Sequence, residues 1–205
     1  MPTYKLYYFP SRGRGEISRL IFKQVEVEFE DIRLAGDDWA KLKPNTPYGS
    51  MPVLEVDGKM LAGSGTIQRY LAEEFGLAGS NAWENAQLDS IIDVCKDFFQ
   101  EILKAFMEKD ETKKAENMKN LFEEAIPKFG QIWENLIKNN QASDSWLFGG
   151  GVTYADFAMY NSLQYITDTK ATALDAFPNV LKNISAVEKL PKIAKWLEER
   201  PKTGY

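Results

Sequence analysis

The sequence contains no histidine, and Cys95 is its only cysteine among 205 residues. Without histidine, Ser-His, Cys-His and histidine-metal mechanisms are excluded, so acid-base or activating chemistry falls to tyrosine, lysine, arginine or a carboxylate. A single cysteine forms neither an internal disulfide nor a cysteine-based zinc cluster, which fits a reducing compartment. Tyrosine therefore becomes a serious candidate for the chemistry of this chain.

Long apolar runs and a secretory signal are also missing from the sequence. No apolar stretch reaches the length that a bilayer requires, and the first ten residues lack the charged and apolar regions of a signal peptide. The formal net charge of -5 argues against a broad nucleic-acid surface, although a local basic pocket for a small anion remains open. We expect a cytoplasmic protein that binds neither membrane nor nucleic acid.

The first part of the chain predicts a β-α-β unit followed by a β-hairpin. The alternating and helix-spaced apolar patterns that indicate the first unit lie at residues 3–9, 16–24 and 28–34. Asp57-Gly58 stands between two short strand patterns and is the strongest short hairpin signal that a sequence offers. A helix is predicted from about residue 65 to 75, and the stretch holding Trp39 and Lys43 is predicted to be irregular.

Strand signals end at residues 76–80, and the remainder of the chain has helical patterns. Long amphipathic helices are predicted at residues 83–107 and 115–139, and shorter ones at 153–167, 178–190 and 191–200. The predicted fold class is therefore α/β plus all-α. The predicted domains span residues 1–78 and 79–205, with the boundary at a short break of small residues.

A capping box is indicated at Val152-Thr153-Tyr154-Ala155-Asp156. Thr153 is suited to cap a helix, and Asp156, three residues later, is suited to bind back to the cap. The motif predicts the start of a buried helix and indicates no chemistry by itself.

Tyr8 closes the first predicted strand, where a tyrosine is more often a core aromatic than a catalytic group. Its neighbours change this assessment, because residues 11–16 form a polar, glycine-containing turn that opens a helix. Backbone amides and a cation at such a position can hold an anionic ligand. Loops at the carboxyl ends of strands are also where α/β sheets bind ligands.

Two further features allow both a structural and a functional interpretation. Pro52 directly precedes a predicted strand, so it marks the strand start, and the Met51-Pro52 bond is either trans, as most such bonds are, or cis. With a cis bond, Met51 would offer its backbone groups to an extended peptide. Ser64 is suited to be a simple N-cap, but a helix N-terminus is also a carboxylate-binding position.

Taken together, several segments resemble the sigma type of the cytosolic glutathione S-transferases, and the nematode branch most of all. They span essentially the whole chain: MPTYKLYYF with RGRGE, DDWAKLKP, TPYGSMPVLEVDGKMLAGS, IQRYLAEEFGLAG, VTYAD and KWLEERPKT. The resemblance implies a thioredoxin-like domain with a cis Pro52, followed by a helical bundle that carries most of the electrophile pocket. It also implies a cytoplasmic homodimer that uses glutathione as co-substrate and needs no metal.

The resemblance assigns roles to individual residues. Tyr8 matches the catalytic tyrosine that stabilises the glutathione thiolate, and Asp97 matches an acid that approaches glutathione from the partner subunit. The remaining glutathione-binding positions are Arg14, Trp39, Lys43, Met51, Pro52 and Ser64. Aromatic and aliphatic residues expected near the electrophile are Phe9, Phe99, Leu103, Phe106 and Tyr160.

One position departs from the family pattern, because Gly63 stands where glutamine usually contacts the γ-glutamyl group. Losing one such contact costs about 1–3 kcal/mol. The expected function is conjugation of glutathione to small hydrophobic electrophiles, such as xenobiotics and lipid-peroxidation products, with prostaglandin isomerase or peroxidase side activity as narrower variants. The alternative is a non-catalytic binding or structural relative with a weakened glutathione site, which Gly63 favours and the other site residues oppose.

Overall fold

The computed structural model describes residues 2–203 and divides into two compact units. The first unit contains the chain up to Ala78 together with the segment from Leu190 onward, and the second contains Gly79–Lys189. The C-terminal segment, which the sequence prediction grouped with the helical domain, joins the first unit because its helix packs on the first helix of the chain.

The strands are β1 (Tyr4–Tyr8), β2 (Glu30–Arg33), β3 (Val53–Val56) and β4 (Lys59–Ala62). The helices are α1 (Glu16–Val25), α2 (Gly36–Leu42), α3 (Ser64–Glu74), α4 (Ala82–Phe106), α5 (Glu111–Asn120), α6 (Ile126–Asn139), α7 (Tyr154–Thr169), α8 (Pro178–Glu188) and α9 (Pro191–Glu199). Short 3-10 turns lie at Gly13–Gly15, Lys43–Asn45 and Ala171–Leu174, and a π-helical turn at Leu121–Ala125 joins α5 to α6. These elements confirm the predicted α/β plus all-α class.

The strands of the first unit form a four-stranded sheet in the order β2-β1-β3-β4. β1 runs parallel to β2 and antiparallel to β3, which pairs with β4 as a hairpin. The hairpin prediction is confirmed: Asp57 and Gly58 have φ of 49° and 82°, and positive values at both positions are what a type I′ turn requires. The Asp57 carboxylate accepts the Thr3 N–H at 2.9 Å, which ties the turn to the start of β1.

One face of the sheet is buried under helices. Residues of β1 alternate between buried and half-buried, and Leu6 at the strand centre has no exposed surface. The Tyr4 ring lies 5.3 Å from that of Phe22 on α1, and the Phe22 ring stacks on that of Phe29 at 4.5 Å. α1 in turn packs on α3 and α9. The core of the first unit therefore holds the strand that ends in Tyr8.

The second unit, as far as the structure describes it, is helical, with α4 against α7 and α6 against α8. Phe98 and Trp133 meet edge to face at 5.1 Å in its core. Glu134 on α6 accepts the backbone N–H groups of Asn179 and Val180 at 2.9 and 3.1 Å, so its carboxylate caps the start of α8. No helix among the described residues is both long and apolar enough to cross a membrane.

Several boundaries differ from the sequence-based expectation. The stretch around Trp39, predicted to be irregular, forms α2, which buries none of its residues and so has no clear apolar stripe to read. Gly63, rather than Ser64, is the N-cap of α3, and Ser64 is the first helical residue. The long helix expected over 115–139 begins earlier, at Glu111, and is divided by the π-helical turn.

Candidate active site at the sheet edge around Tyr8

The register of the sheet brings separate segments to one edge. Tyr8 at the end of β1 pairs with Arg33 at the end of β2, and Tyr7 pairs with Val53 at the start of β3. Val53 also pairs with Ala62 at the end of β4. Residues that follow β1, β2 and β4, and those that precede β3, therefore meet at the same edge. This places the segments carrying Tyr8, Trp39, Met51 and Ser64 together.

Tyr8 is fixed by hydrogen bonds on both its backbone and its side chain. The Tyr8 carbonyl accepts the Leu34 N–H at 2.8 Å, and the Tyr8 hydroxyl oxygen accepts the Arg14 backbone N–H at 2.9 Å. A phenol that accepts from an amide still has its own proton to donate. The side chain is thus oriented while its O–H stays available to a ligand.

The turn after Tyr8 packs tightly on its ring. A Cβ added at Gly13 would lie 2.5 Å from the Tyr8 hydroxyl oxygen, and one added at Gly15 would lie 2.6 Å from a ring carbon. Gly13 also has a φ of 42°, which favours glycine. Glycines therefore allow the backbone to approach the ring closely enough for the Arg14 amide to reach the hydroxyl. The sequence shows this spacing in RGRG, but the contact itself was not predicted.

Burial raises the pKa of Tyr8 above its ordinary value of 10.0, against the opposing effects of the Arg14 backbone N–H and of the Arg14 and Arg19 charges. The hydroxyl therefore stays protonated at neutral pH. The neighbouring Tyr7 differs: its hydroxyl donates to Glu55 at 2.8 Å, and burial together with this carboxylate raises its pKa to about 12. Of the two adjacent tyrosines, Tyr8 has the proton available for a ligand anion.

Aromatic rings extend from Tyr8 along the edge. The rings of Tyr8 and Phe9 are 5.5 Å apart, and those of Phe9 and Trp39 are 6.1 Å apart, both edge to face. Trp39 is half-buried, whereas Phe9 is 39% exposed and so is accessible to a ligand. These contacts link α2 to the strand that carries Tyr8.

The other predicted residues of the first unit lie in the segments that follow β1, β2 and β4 or precede β3. Arg14 is exposed in the 3-10 turn, and Lys43 is exposed just after α2. The Met51-Pro52 peptide bond is cis. Ser64 lies half-buried at the start of α3, where unpaired backbone N–H groups favour an anion.

Gly63 adopts a φ of 94°, a backbone conformation in which a residue with a side chain is strained. It is exposed, and an added Cβ would meet only the Thr66 side chain, at 3.4 Å. Space is therefore present for a longer side chain, but the backbone favours the glycine that this chain has.

Asp97 lies in the second unit, exposed on α4. Of the aromatic residues predicted near the electrophile, Phe99 and Tyr160 are 7% and 0% exposed within that unit, and the Phe99 ring packs on that of Tyr165 at 5.8 Å. Among the described residues no group of three or more His, Cys, Asp or Glu is arranged to hold a metal ion.

Comparisons with known proteins agree with this architecture. The family descriptions "Glutathione S-transferase, N-terminal domain" and "Glutathione S-transferase, C-terminal domain" match residues 2–73 and 96–200. The chain is 44% identical to glutathione S-transferase 1 of Ascaris suum over 206 residues, an alignment that covers 100% of both chains. It is 38% identical over 204 residues, again 100% of both chains, to the hematopoietic prostaglandin D synthase of Gallus gallus.

Among solved structures, a Nu-class glutathione S-transferase from Haemonchus contortus matches with a TM-score of 0.90 and 39% identity over 100% of both chains. A thioredoxin-like first domain and an all-helical second domain are the fold of these structures. The chain belongs to the glutathione S-transferase family. It is accordingly an enzyme of the glutathione transferase type.

Proposed function

We propose that this enzyme conjugates glutathione to small hydrophobic electrophiles and that the Tyr8 hydroxyl stabilises the glutathione thiolate. The observation that carries the proposal is the orientation of the Tyr8 phenol. The Arg14 amide donates to the Tyr8 hydroxyl oxygen at 2.9 Å, and the raised pKa of Tyr8 keeps the hydroxyl proton in place for a hydrogen bond to a ligand. Tyr8 also lies at the sheet edge that the Met51 and Ser64 segments share.

The energetic requirement is modest. A free thiol has a pKa of about 8.5, so little thiolate is present at neutral pH. A hydrogen bond to a charged group is worth about 1.5–3 kcal/mol, which lowers a thiol pKa by about one to two units. One hydrogen bond donated by Tyr8 therefore brings the pKa of the thiol to about 7. No histidine is needed to accept a proton.

The remaining residues hold the tripeptide in place. Arg14, Trp39 and Lys43 bind the glycine end and adjoining parts, and the Met51 backbone next to Pro52 pairs with the cysteinyl unit. Ser64 receives the γ-glutamyl carboxylate at the start of α3, where the helix dipole favours negative charge. Asp97 approaches the γ-glutamyl amine from the partner subunit, so the working enzyme is a homodimer. The proposed location of the enzyme is the cytoplasm.

The electrophile lies over the thiolate against apolar residues, most of them from the helical domain. Xenobiotics and lipid-peroxidation products are the proposed substrates, and we propose a sigma-class enzyme with a role in detoxification. The similarity to a prostaglandin D synthase supports a narrower second candidate, isomerisation of prostaglandin endoperoxides at the same thiolate.

Retention on a glutathione resin, followed by turnover of a chromogenic electrophile, tests the proposal. The wild-type protein should be retained and active, and Tyr8→Phe should be retained with turnover reduced about 10- to 150-fold. Tyr7→Phe is the matched control, because it removes a neighbouring hydroxyl that is engaged by Glu55, and it should keep wild-type turnover. Retention of the wild-type protein without turnover would instead support a binding protein.

A further inference from the structure

A buried ionic cluster lies behind the turn that holds Tyr8. Glu16 and Arg19, both on α1, are 1% and 0% exposed. Charged groups are rarely buried so completely unless they are paired, because desolvation of an unpaired charge is costly. The partners of these two side chains therefore show what the cluster holds in place.

Arg19 binds both ends of the turn. Its Nη1 donates to the Ser11 carbonyl at 2.8 Å and to Glu16 Oε2 at 3.1 Å, and its Nε donates to Asp31 at 3.0 Å. Ser11 begins the segment and Glu16 ends it. One guanidinium thereby fixes the span within which Gly13, Arg14 and Gly15 contact Tyr8.

Arg19 also lies near the tyrosine itself. Its guanidinium carbon is 5.8 Å from the centroid of the Tyr8 ring. Since added carbon atoms at Gly13 and Gly15 would overlap the same ring, a small shift of the turn must move the ring or the Arg14 amide with it. Displacements of about 1 Å can cost a hundredfold in rate even when they begin far from the reacting atoms.

The C-terminal segment completes the cluster from the other side. Glu16 Oε1 accepts the Trp196 indole N–H at 2.9 Å and Arg200 Nη1 at 3.0 Å. Trp196 lies on α9 and Arg200 directly follows it. These bonds span 180 and 184 positions of sequence and connect the C-terminal segment to the residue that closes the turn.

We propose that Glu16 and Arg19 are positioning residues for Tyr8 and that Trp196 and Arg200, from the C-terminal segment, set the position of Glu16. The inference rests on the proposed role of Tyr8 as the thiolate-stabilising group. It assigns the end of the chain a part in activating glutathione, in addition to its packing on α1.

The test compares two variants that each remove one donor to Glu16. Trp196→Phe keeps an aromatic ring but loses the indole N–H, and Arg200→Met keeps an unbranched stem but loses the guanidinium. Each should raise the pKa of the thiol of bound glutathione, which is measured from the thiolate absorbance as a function of pH. Each should also lower kcat about three- to tenfold at neutral pH. The KM for glutathione should change less than twofold. Arg200→Lys, which retains a cation, should recover most of kcat.

Lys192→Gln is the matched control. Lys192 on α9 forms an ion pair with Glu26, which directly follows α1, but both side chains are exposed and lie outside the cluster. It should leave the thiol pKa and kcat at wild-type values. Denaturant midpoints, measured on every variant, separate loss of folded protein from loss of positioning.

The outcomes distinguish this inference from the proposed function. If wild-type protein lowers the glutathione thiol pKa and both Glu16-donor variants lower it equally well, the positioning role is refuted while Tyr8 keeps its role. If glutathione bound to the wild-type protein has the same thiol pKa as free glutathione, the role of Tyr8 itself is refuted. A fall in stability with unchanged thiol pKa shows a purely structural cluster and overturns the inference.

Discussion

At the level of single residues, two adjacent tyrosines acquire different properties from their partners. The Tyr7 hydroxyl donates a hydrogen bond to Glu55, whereas the Tyr8 hydroxyl oxygen accepts one from the Arg14 amide and has its own O–H available to donate. Both pKa values are raised, with burial as the main cause. The difference that matters chemically is therefore the direction of the hydrogen bond rather than the pKa.

Gly15→Ala should damage the site although alanine is normally the better residue in a helix-like turn. The new Cβ would lie 2.6 Å from the Tyr8 ring, so the ring or the turn must move. We expect a loss of about 1–3 kcal/mol in the free energy of unfolding and at least a tenfold fall in kcat/KM. Gly151→Ala, where an added Cβ meets nothing within 4 Å, is the control and should behave as wild type. Equal activity of both variants would contradict the close packing on Tyr8.

Gly63→Gln should have opposite effects on stability and binding. At a φ of 94° any side chain adds strain, which lowers the free energy of unfolding by about 1–3 kcal/mol. A restored amide contact should tighten glutathione binding by about 5- to 150-fold, measured by titration calorimetry. Gly63→Ala carries the strain without the amide, so it should lose stability and gain no affinity. Unchanged affinity in the glutamine variant would show that position 63 does not contact the γ-glutamyl group.

At the level of elements, the sheet register gathers the site. Because β1, β2 and β4 end where β3 begins, four segments that are distant in sequence share one edge. The candidate site therefore cannot be recognised from any one of these segments alone.

Asp156→Ala should be strongly destabilising, because the capping box anchors more than its own helix. The Asp156 carboxylate accepts N–H groups from Leu147 and Thr153 at 2.9 and 2.8 Å and the Asn183 amide at 2.7 Å. Removing it leaves buried donors unpaired and should cost about 2–5 kcal/mol in the free energy of unfolding, read from the denaturant midpoint. Asp156→Asn, which keeps an acceptor oxygen, should lose clearly less. Similar losses in both variants would show that the acceptor is not what stabilises the segment.

Much of the fold follows from local patterns, and the exceptions have physical causes. The hairpin at Asp57-Gly58 and the capping box at Thr153 and Asp156 were predictable because their chemistry is contained in a few adjacent residues. α2 was not predicted, since a helix in which no residue is fully buried has no clear apolar stripe. The bonds of Glu16 to Trp196 and Arg200 were equally inaccessible, because no local pattern indicates a contact over such a separation.

The candidate site was predictable only in part. Tyr8 was assigned the catalytic role through the family resemblance. Its position at the end of a strand favoured a core aromatic, and the polar turn that follows it indicated only a place for an anionic ligand. What distinguishes the two is the fold itself, through the Arg14 amide and the glycines at 13 and 15. The binding roles of Arg14, Trp39, Lys43, Met51, Pro52, Ser64 and Asp97 stay predictions.

At the level of the whole molecule, the proposal requires two copies of the chain. If Asp97 completes the partner's site, Asp97→Asn should raise the KM for glutathione several-fold, whereas Asp93→Asn, which removes another exposed carboxylate from α4, should not. At a glutathione concentration well below the KM of Asp97→Asn, subunit exchange between the Tyr8→Phe and Asp97→Asn proteins should raise activity above the mean of the two, because the mixed dimer contains one site with both native residues. A monomer by light scattering, or no recovery on mixing, would contradict the shared site.

The central claim is that the Tyr8 proton stabilises a sulfur anion, and the pH titration of the thiol of bound glutathione tests it most directly. We predict a thiol pKa of about 7 in the wild-type complex, one to two units below that of a free thiol. Burial keeps Tyr8 protonated, so the thiolate signal should rise with pH. It should show no loss from ionisation of Tyr8 below pH 10.0, the ordinary pKa of a tyrosine. Tyr8→Phe should return the thiol pKa to near 8.5. The same thiol pKa in both proteins would contradict the account.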